Sequence, residues 1–149
     1  MEEGYKGVTT RRDPIRDYPA GDVAANIIGF LGEDEALGGL ERTFDGQLAG
    51  TDGEARYQVG GGNRIPLGEN TSVAAENGDD LELTLDRDVQ WYAQRVLRNA
   101  VEAANAESGT VVALDADSGE LLALADYPTY DANDPLASDP DDLGSRAIS

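Results

Sequence analysis

Leu81-Glu82-Leu83-Thr84-Leu85-Asp86-Arg87-Asp88-Val89-Gln90 is the stretch where the apolar pattern of the chain changes period. Leu81, Leu83 and Leu85 alternate with Glu82 and Thr84, which predicts a half-buried strand. Asp86 then offers a carboxylate to the free amides of a first helical turn. From Arg87 to about Ala106, Val89, Ala93, Val96, Leu97, Ala100, Val101 and Ala104 recur at helical spacing and predict one long helix with a single apolar face. A strand followed at once by a capped helix points to a mixed fold.

Downstream of this stretch, Gly109 closes the helical region. Thr110-Val111-Val112-Ala113-Leu114 and Leu121-Leu122-Ala123-Leu124-Ala125 read as two strands. Asp115-Ala116-Asp117-Ser118-Gly119-Glu120 between them has turn chemistry. The near-continuous apolar character of this hairpin implies burial on both faces. The Pro- and Asp-rich tail from Asp126 reads as loop.

Upstream, residues 50–80 are rich in Gly, Asn, Thr, Asp and Glu. Two strands are expected there, around Ala55–Val59 and Arg64–Leu67, with Gly60-Gly61-Gly62-Asn63 as the hairpin loop. Leu40, Phe44 and Leu48, at intervals of four, predict a short amphipathic helix over 40–48. Asp22 stands before Val23, Ala24, Ala25, Ile27 and Ile28 as a candidate cap. The first fifteen residues read as an extended lead-in. The fold class is therefore α+β: a mixed domain over 1–78, then a strand, a long helix and a β-hairpin over 79–149.

Composition narrows function. Thirty acidic residues against eleven basic ones give a net charge of −19 over 149 residues, which repels nucleic acid and anionic lipid. There is no Cys and no His, so disulfides, the usual zinc and copper ligands and any Ser-His-Asp machinery are excluded within this sequence. The longest strongly apolar run, Leu121–Ala125, is far short of the ~20 residues that cross a bilayer. No signal-peptide pattern follows Met1.

Few side chains suggest a site. Arg16 and Glu41 are expected to form a partly buried ion pair, because a guanidinium fork matches a carboxylate; the alternative is two independent surface charges. Tyr18-Pro19 reads as a rigid turn with a half-buried ring, and as a docking spot only secondarily. Of Trp91 and Tyr92, near the start of the long helix, one is expected to lie off its apolar face, which makes them a candidate interface; the alternative is packing against the first domain of the chain. Asp115-x-Asp117-x-Gly119 invites a calcium-loop reading, but a calcium loop needs Gly at its sixth place, where Glu120 stands. Acid–base hydrolysis by Asp115, Asp117 and Glu120 is disfavoured, since an exposed turn does not split carboxylate pKa values. Gly60-Gly61-Gly62 lacks the Lys-Ser/Thr of a phosphate loop.

The order of several segments resembles one family. Arg16-x-Tyr18-Pro19-x-Gly21, then Gly39-Leu40-Glu41, then Phe44-Asp45-x-x-Leu48-x-Gly50-x-x-Gly53 are similar to the pedestal of class B penicillin-binding proteins. Leu83-Thr84-Leu85-Asp86-x-x-x-Gln90 looks like the opening of their transpeptidase domain, and Val111–Ala125 followed by Pro128-x-Tyr130-Asp131-x-Asn133 like its first hairpin. Arg146-Ala147-Ile148 resembles the stretch upstream of the nucleophile. Residues 48–53 most resemble the division-type and actinobacterial members.

The resemblance implies an N-terminally incomplete pedestal, or dimerisation, domain over 1–78. It implies the start of the transpeptidase domain over 79–149, truncated before the catalytic serine. In that family the serine attacks a D-Ala-D-Ala peptide, using S-x-x-K, S-x-N and K-T-G motifs. None occurs here: the single lysine is Lys6, and Ser149 precedes the position expected of the nucleophile. The chain as given is expected to be non-catalytic and to need no cofactor. Its expected role is as an interaction region in peptidoglycan cross-linking, cell-wall biogenesis and cell division, at the extracytoplasmic face of the membrane. Expected partners are cell-wall synthesis and division proteins such as a membrane glycosyltransferase, with stem peptides met only through the transpeptidase part. The competing reading is a calcium-stabilised extracellular interaction module.

Overall fold

A computed structural model describes residues 16–32, 35–56, 58–60, 63–64 and 71–148. The expected lead-in over 1–15, residues 65–67 of the expected second strand and Ser149 lie outside the described residues. The fold is α+β. Three short helices, α1 (Ala25–Ile28), α2 (Gly39–Thr43) and α3 (Asp45–Leu48), precede four short strands, β1 (Glu54–Arg56), β2 (Val59–Gly60), β3 (Asn63–Arg64) and β4 (Thr71–Val73). The long helix α4 (Arg87–Ala104) and the hairpin β5 (Gly109–Leu114) and β6 (Leu121–Tyr127) follow, then two single 3-10 turns at Pro135–Ala137 and Pro140–Asp142.

Asp86 caps α4, its carboxylate accepting from the amides of Asp88 and Val89 at 2.9 Å each. The helix ends on Asn105 in the left-handed conformation, φ 48°, four residues before Gly109. Asn tolerates that geometry because its short polar side chain suits it. Gly109 instead opens β5, where a Cβ would meet the side chains of Leu97 and Val101 at 2.8 Å.

The face that α4 buries differs from the one its apolar residues outline. Gln90, Gln94, Leu97 and Val101 are buried, while Val89 and Val96 are exposed. Leu97 and Val101 pack on Ala125, with Ala93, Val111 and Tyr127 around them. Two glutamines take the inward positions because each satisfies backbone groups of neighbouring segments, which a hydrocarbon could not do.

Leu81–Leu85 is not a strand. Leu81 and Leu83 are exposed, Leu85 packs beside Leu124, and the hydrogen bonds to β6 are Thr84 Oγ1 to the Leu121 carbonyl and, from the Asp86 that follows, its amide to the Leu122 carbonyl. Alternation alone does not make a strand without a continuous backbone ladder to join. The hairpin is also less buried than its composition implies. Residues of β5 alternate between half-buried and exposed, with Val112 and Leu114 open to solvent, while Ala123 to Asp126 of β6 are fully covered.

The described residues between 51 and 76 form an antiparallel arm. Thr51 bridges Glu76 at its base, β1 pairs with β4, and β2 pairs with β3 toward the tip. The first expected strand is thus divided: its end, Val59, pairs with Arg64 as expected, while Glu54–Arg56 pairs with Thr71–Val73. The base is pinched, because a Cβ on Gly78 would lie 1.9 Å from the Leu48 carbonyl oxygen.

The expected helix over 40–48 is split at Phe44 into α2 and α3. Asp22 does not cap α1; Ala24, at φ 59°, precedes that helix with no side-chain cap. The 16–48 segment packs on the second half of the chain. Ala24, Ile27 and Leu124 form one buried cluster with Ile28, Leu40, Leu85 and Leu121 at its margin. Ala25, Phe30, Tyr130 and Ala132 form another, with Tyr18 and Leu143 beside it.

Candidate functional site

Segment 16–41 meets the second half of the chain along one seam, reached by Tyr18, Gly21 and Leu40, while Arg16, Gly39 and Glu41 make their contacts within the segment itself. Within the segment, Arg16 Nε donates to Glu41 Oε1 at 2.7 Å. The Glu41 side chain is 8% exposed and that of Arg16 48%, so the pair is sheltered on its acidic side only. Glu41 sits in α2, directly after the Gly38-Gly39 approach. Gly39 adopts φ +57°, and a Cβ there would come within 2.3 Å of the Ile27 carbonyl oxygen. Only glycine lets α1 and α2 meet this closely, and Leu40 then reaches the Leu124 cluster.

Tyr18 spans the seam with both its backbone and its ring. Its amide donates to Asn133 Oδ1 at 3.0 Å, and its carbonyl accepts from Asn133 Nδ2 at 2.8 Å. The same carbonyl accepts from Gly21 at 2.9 Å, closing the turn through Pro19 with Gly21 at φ +61°. The phenol oxygen accepts from the Leu31 amide at 2.8 Å. Burial raises the Tyr18 pKa, opposed by that amide and reinforced by the nearby Glu41 charge. Tyr130 donates to the Ala25 carbonyl at 2.8 Å and meets Phe30 edge-to-face at 5.8 Å between centroids. Its burial pushes its pKa up to about 12.

Two glutamines of α4 complete the seam. Gln94 Oε1 accepts from the Ala24 amide at 2.9 Å, and its Nε2 donates to the Asp22 carbonyl at 2.9 Å. Gln90 bonds both backbone groups of Leu124 at 2.8 Å and also donates to Gln94 Oε1 at 3.2 Å. Arg98 adds an ion pair to Asp22 at 3.1 Å. Gln90 and Asn133 stand in the motifs that carry the resemblance, but polarity alone does not mark Gln90 and Gln94 as buried or the exposed Asn133 as a partner of Tyr18. The one available signal is glutamine at positions 90 and 94, one helical turn apart and beside the apolar positions Leu97 and Val101.

Trp91 and Tyr92 are both exposed, at 49% and 64%. Trp91 stands beside an open groove of about 330 Å³ lined with Asp22, Val23 and Arg98, and its ring lies under the Arg95 guanidinium at 5.3 Å. In the turn at 115–120, Asp115 Oδ1 accepts from the amides of Asp117 and Ser118, and these bonds hold its carboxyl below the usual range. Among the described residues no three Asp or Glu side chains gather as a metal cage. Nor, among them, is any helix long and apolar enough to cross a membrane.

A family model described as the penicillin-binding protein dimerisation domain matches residues 1–83. This chain belongs to the penicillin-binding proteins. It is 38% identical over 148 residues to the penicillin-binding protein PbpB of Mycobacterium tuberculosis, covering 97% of this chain and 22% of that one. It is 33% identical over 143 residues to the peptidoglycan D,D-transpeptidase FtsI of Escherichia coli K12, covering 95% and 24%. The crystal structure of apo penicillin-binding protein 3 from M. tuberculosis superposes with a TM-score of 0.73 at 36% identity, covering 91% of this chain and 27% of that one. The chain therefore spans about a quarter of the length of the curated relatives it matches. The family expected from Arg16, Tyr18-Pro19, Gly39-Leu40-Glu41 and the Val111–Ala125 hairpin is the family found.

Proposed function

We propose that this chain is the non-catalytic pedestal and interaction region of a longer penicillin-binding protein. In this reading residues 1–78 form the pedestal, or dimerisation, domain and residues 79–149 open the transpeptidase domain. The whole protein would be a serine D,D-transpeptidase that cross-links peptidoglycan, in cell division, at the extracytoplasmic face of the membrane. Arg16, Tyr18, Pro19, Gly21, Gly39, Leu40 and Glu41 would serve to hold the pedestal in shape. Trp91 and Tyr92 would contribute contact surface for cell-wall synthesis proteins, a membrane glycosyltransferase among them. Stem peptides would be met only by the transpeptidase part beyond this chain.

One observation carries the reading: beside the Arg98–Asp22 ion pair, amide side chains that bridge the two halves satisfy backbone groups. Gln94 ties Ala24 and Asp22 to α4, and Asn133 ties Tyr18 to the tail. Such bonds fix the orientation of the two halves, as a support for a catalytic domain requires. Labelling with a fluorescent penicillin tests it. The 149-residue chain should stay unlabelled, whereas the longer gene product should label at one serine outside this sequence. A covalent adduct on the chain itself would overturn the proposal.

A further inference from the structure

Residues 139–148 have no regular secondary structure beyond the single turn at Pro140–Asp142, yet their path is fixed by side chains from distant elements. Asn26 in α1 is 7% exposed and uses its whole amide. Its Nδ2 donates to the carbonyls of Asp142 at 3.0 Å and Gly144 at 2.7 Å, and its Oδ1 accepts from Thr129 Oγ1 at 2.6 Å. From the sheet, Asp126 is 2% exposed. One of its oxygens accepts from Thr110 Oγ1 and the other from Ser145 Oγ, both at 2.6 Å. Ser145 Oγ in turn accepts from the Ala147 amide at 3.3 Å. Arg146 adds contacts to the Pro128 carbonyl at 3.3 Å and the Asp142 carboxylate at 2.7 Å.

A buried amide and a buried carboxylate are costly to leave unpaired. When the 142–148 segment lifts away, Asn26 loses both acceptors and Asp126 loses one donor. When α1 shifts, the segment loses the two carbonyl contacts nearest Ser145. We propose that Asn26, Asp126 and Ser145 form a latch that couples the placement of α1 to that of residues 142–148, so that a partner displacing α1 releases this segment. The two states are latched and locally open, and anything that binds α1 better in the open state shifts the balance toward release. The latch is a property of this chain and does not depend on the function proposed above.

Hydrogen exchange on the full chain tests the coupling. Asn26→Ala should speed exchange of the Asp142, Leu143 and Ala147 amides about tenfold, the effect of losing one or two hydrogen bonds. Asn26→Asp, which sets a carboxylate against two carbonyl oxygens, should speed it more. Ser145→Ala should speed exchange reciprocally at Ile27, Ile28 and Gly29, since coupling acts in both directions. Thr43→Ala, which removes an exposed hydroxyl bond to the Gly39 carbonyl within α2, should do neither. Amides of α4 around Leu97–Val101 report global opening. Unchanged exchange at 142–147 in Asn26→Ala, no reciprocal effect in Ser145→Ala, or a rise matched in α4 would each overturn the latch.

Discussion

The side chain of Gln90 reads the backbone of Leu124 as a neighbouring strand would: its Oε1 accepts from the amide and its Nε2 donates to the carbonyl, both at 2.8 Å. Gln90 is 1% exposed, so bulk water does not reach these bonds. Gln90→Leu should therefore destabilise the chain by about 2–4 kcal/mol despite the gain in apolarity, because two buried backbone groups lose their partners. Urea denaturation checks this; a midpoint equal to wild type would show that β6 finds other partners.

Arg16→Ala should cost about 1 kcal/mol or less, since half of the arginine side chain is in water. Arg16→Glu should cost more, by placing like charge beside the sheltered Glu41 carboxylate. The difference between the two variants should shrink as salt rises from 0.01 to about 1 M, where screening becomes short-ranged. Melting curves at both salt levels decide it.

Alkaline pH should unfold the protein in a defined window. The Tyr130 phenol has its pKa raised from 10.0 to about 12 by burial, and Tyr18 is raised in the same direction. A group whose folded pKa lies above its unfolded one contributes stability that is complete below the unfolded value and lost as pH rises toward the folded value. Stability should hold up to pH 10 and fall between 10 and about 12. Tyr130→Phe, which also loses the bond to the Ala25 carbonyl, should be weaker at neutral pH by about 1 kcal/mol but flatter across that window. Denaturant midpoints measured at several pH values test both statements.

Gly39→Ala should be among the most damaging single-atom additions in the first half. The new Cβ would meet the Ile27 carbonyl oxygen at 2.3 Å, at a φ of +57° that side chains resist. A cost of about 3 kcal/mol is expected from strain and displaced packing together. Near-UV circular dichroism should register loss of the Phe30–Tyr130 contact nearby, whereas Gly46→Ala, with nothing near its Cβ, should be silent.

Val112 and Leu114 are 53% and 60% exposed on β5, a strand that pairs only with β6 among the described residues. An open apolar edge is a template for association. Val112→Lys with Leu114→Lys should lower concentration-dependent light scattering and leave the melting temperature within a degree or two. A large drop in melting temperature would mean that these side chains are needed for the fold itself.

The parts of the fold legible in the sequence are those whose cause is local. Asp86 marks the helix start because its carboxylate answers amides two and three residues on, and Asp115 marks the hairpin turn in the same way. Hydrocarbon alone outlines a different face of α4 from the buried one, because Gln90 and Gln94 are buried by bonds to Leu124 and Ala24. Leu81–Leu85 alternates as strands do but has no ladder to join. The candidate site was half visible. Arg16, Tyr18 and Glu41 could be picked out, whereas Asn26, Asp126 and Asn133 matter through partners that lie 16 to 118 residues away along the chain.

The 115–120 turn offers a practical opening. Asp115 fixes it from within, and nothing lies within 4 Å of where a Gly119 side chain would begin. The protein contains no cysteine, so Asp117→Cys would create a unique thiol on the outermost bend of the hairpin. A dye or spin label attached there would report the tumbling and encounters of the whole molecule without touching the seam that holds its halves together.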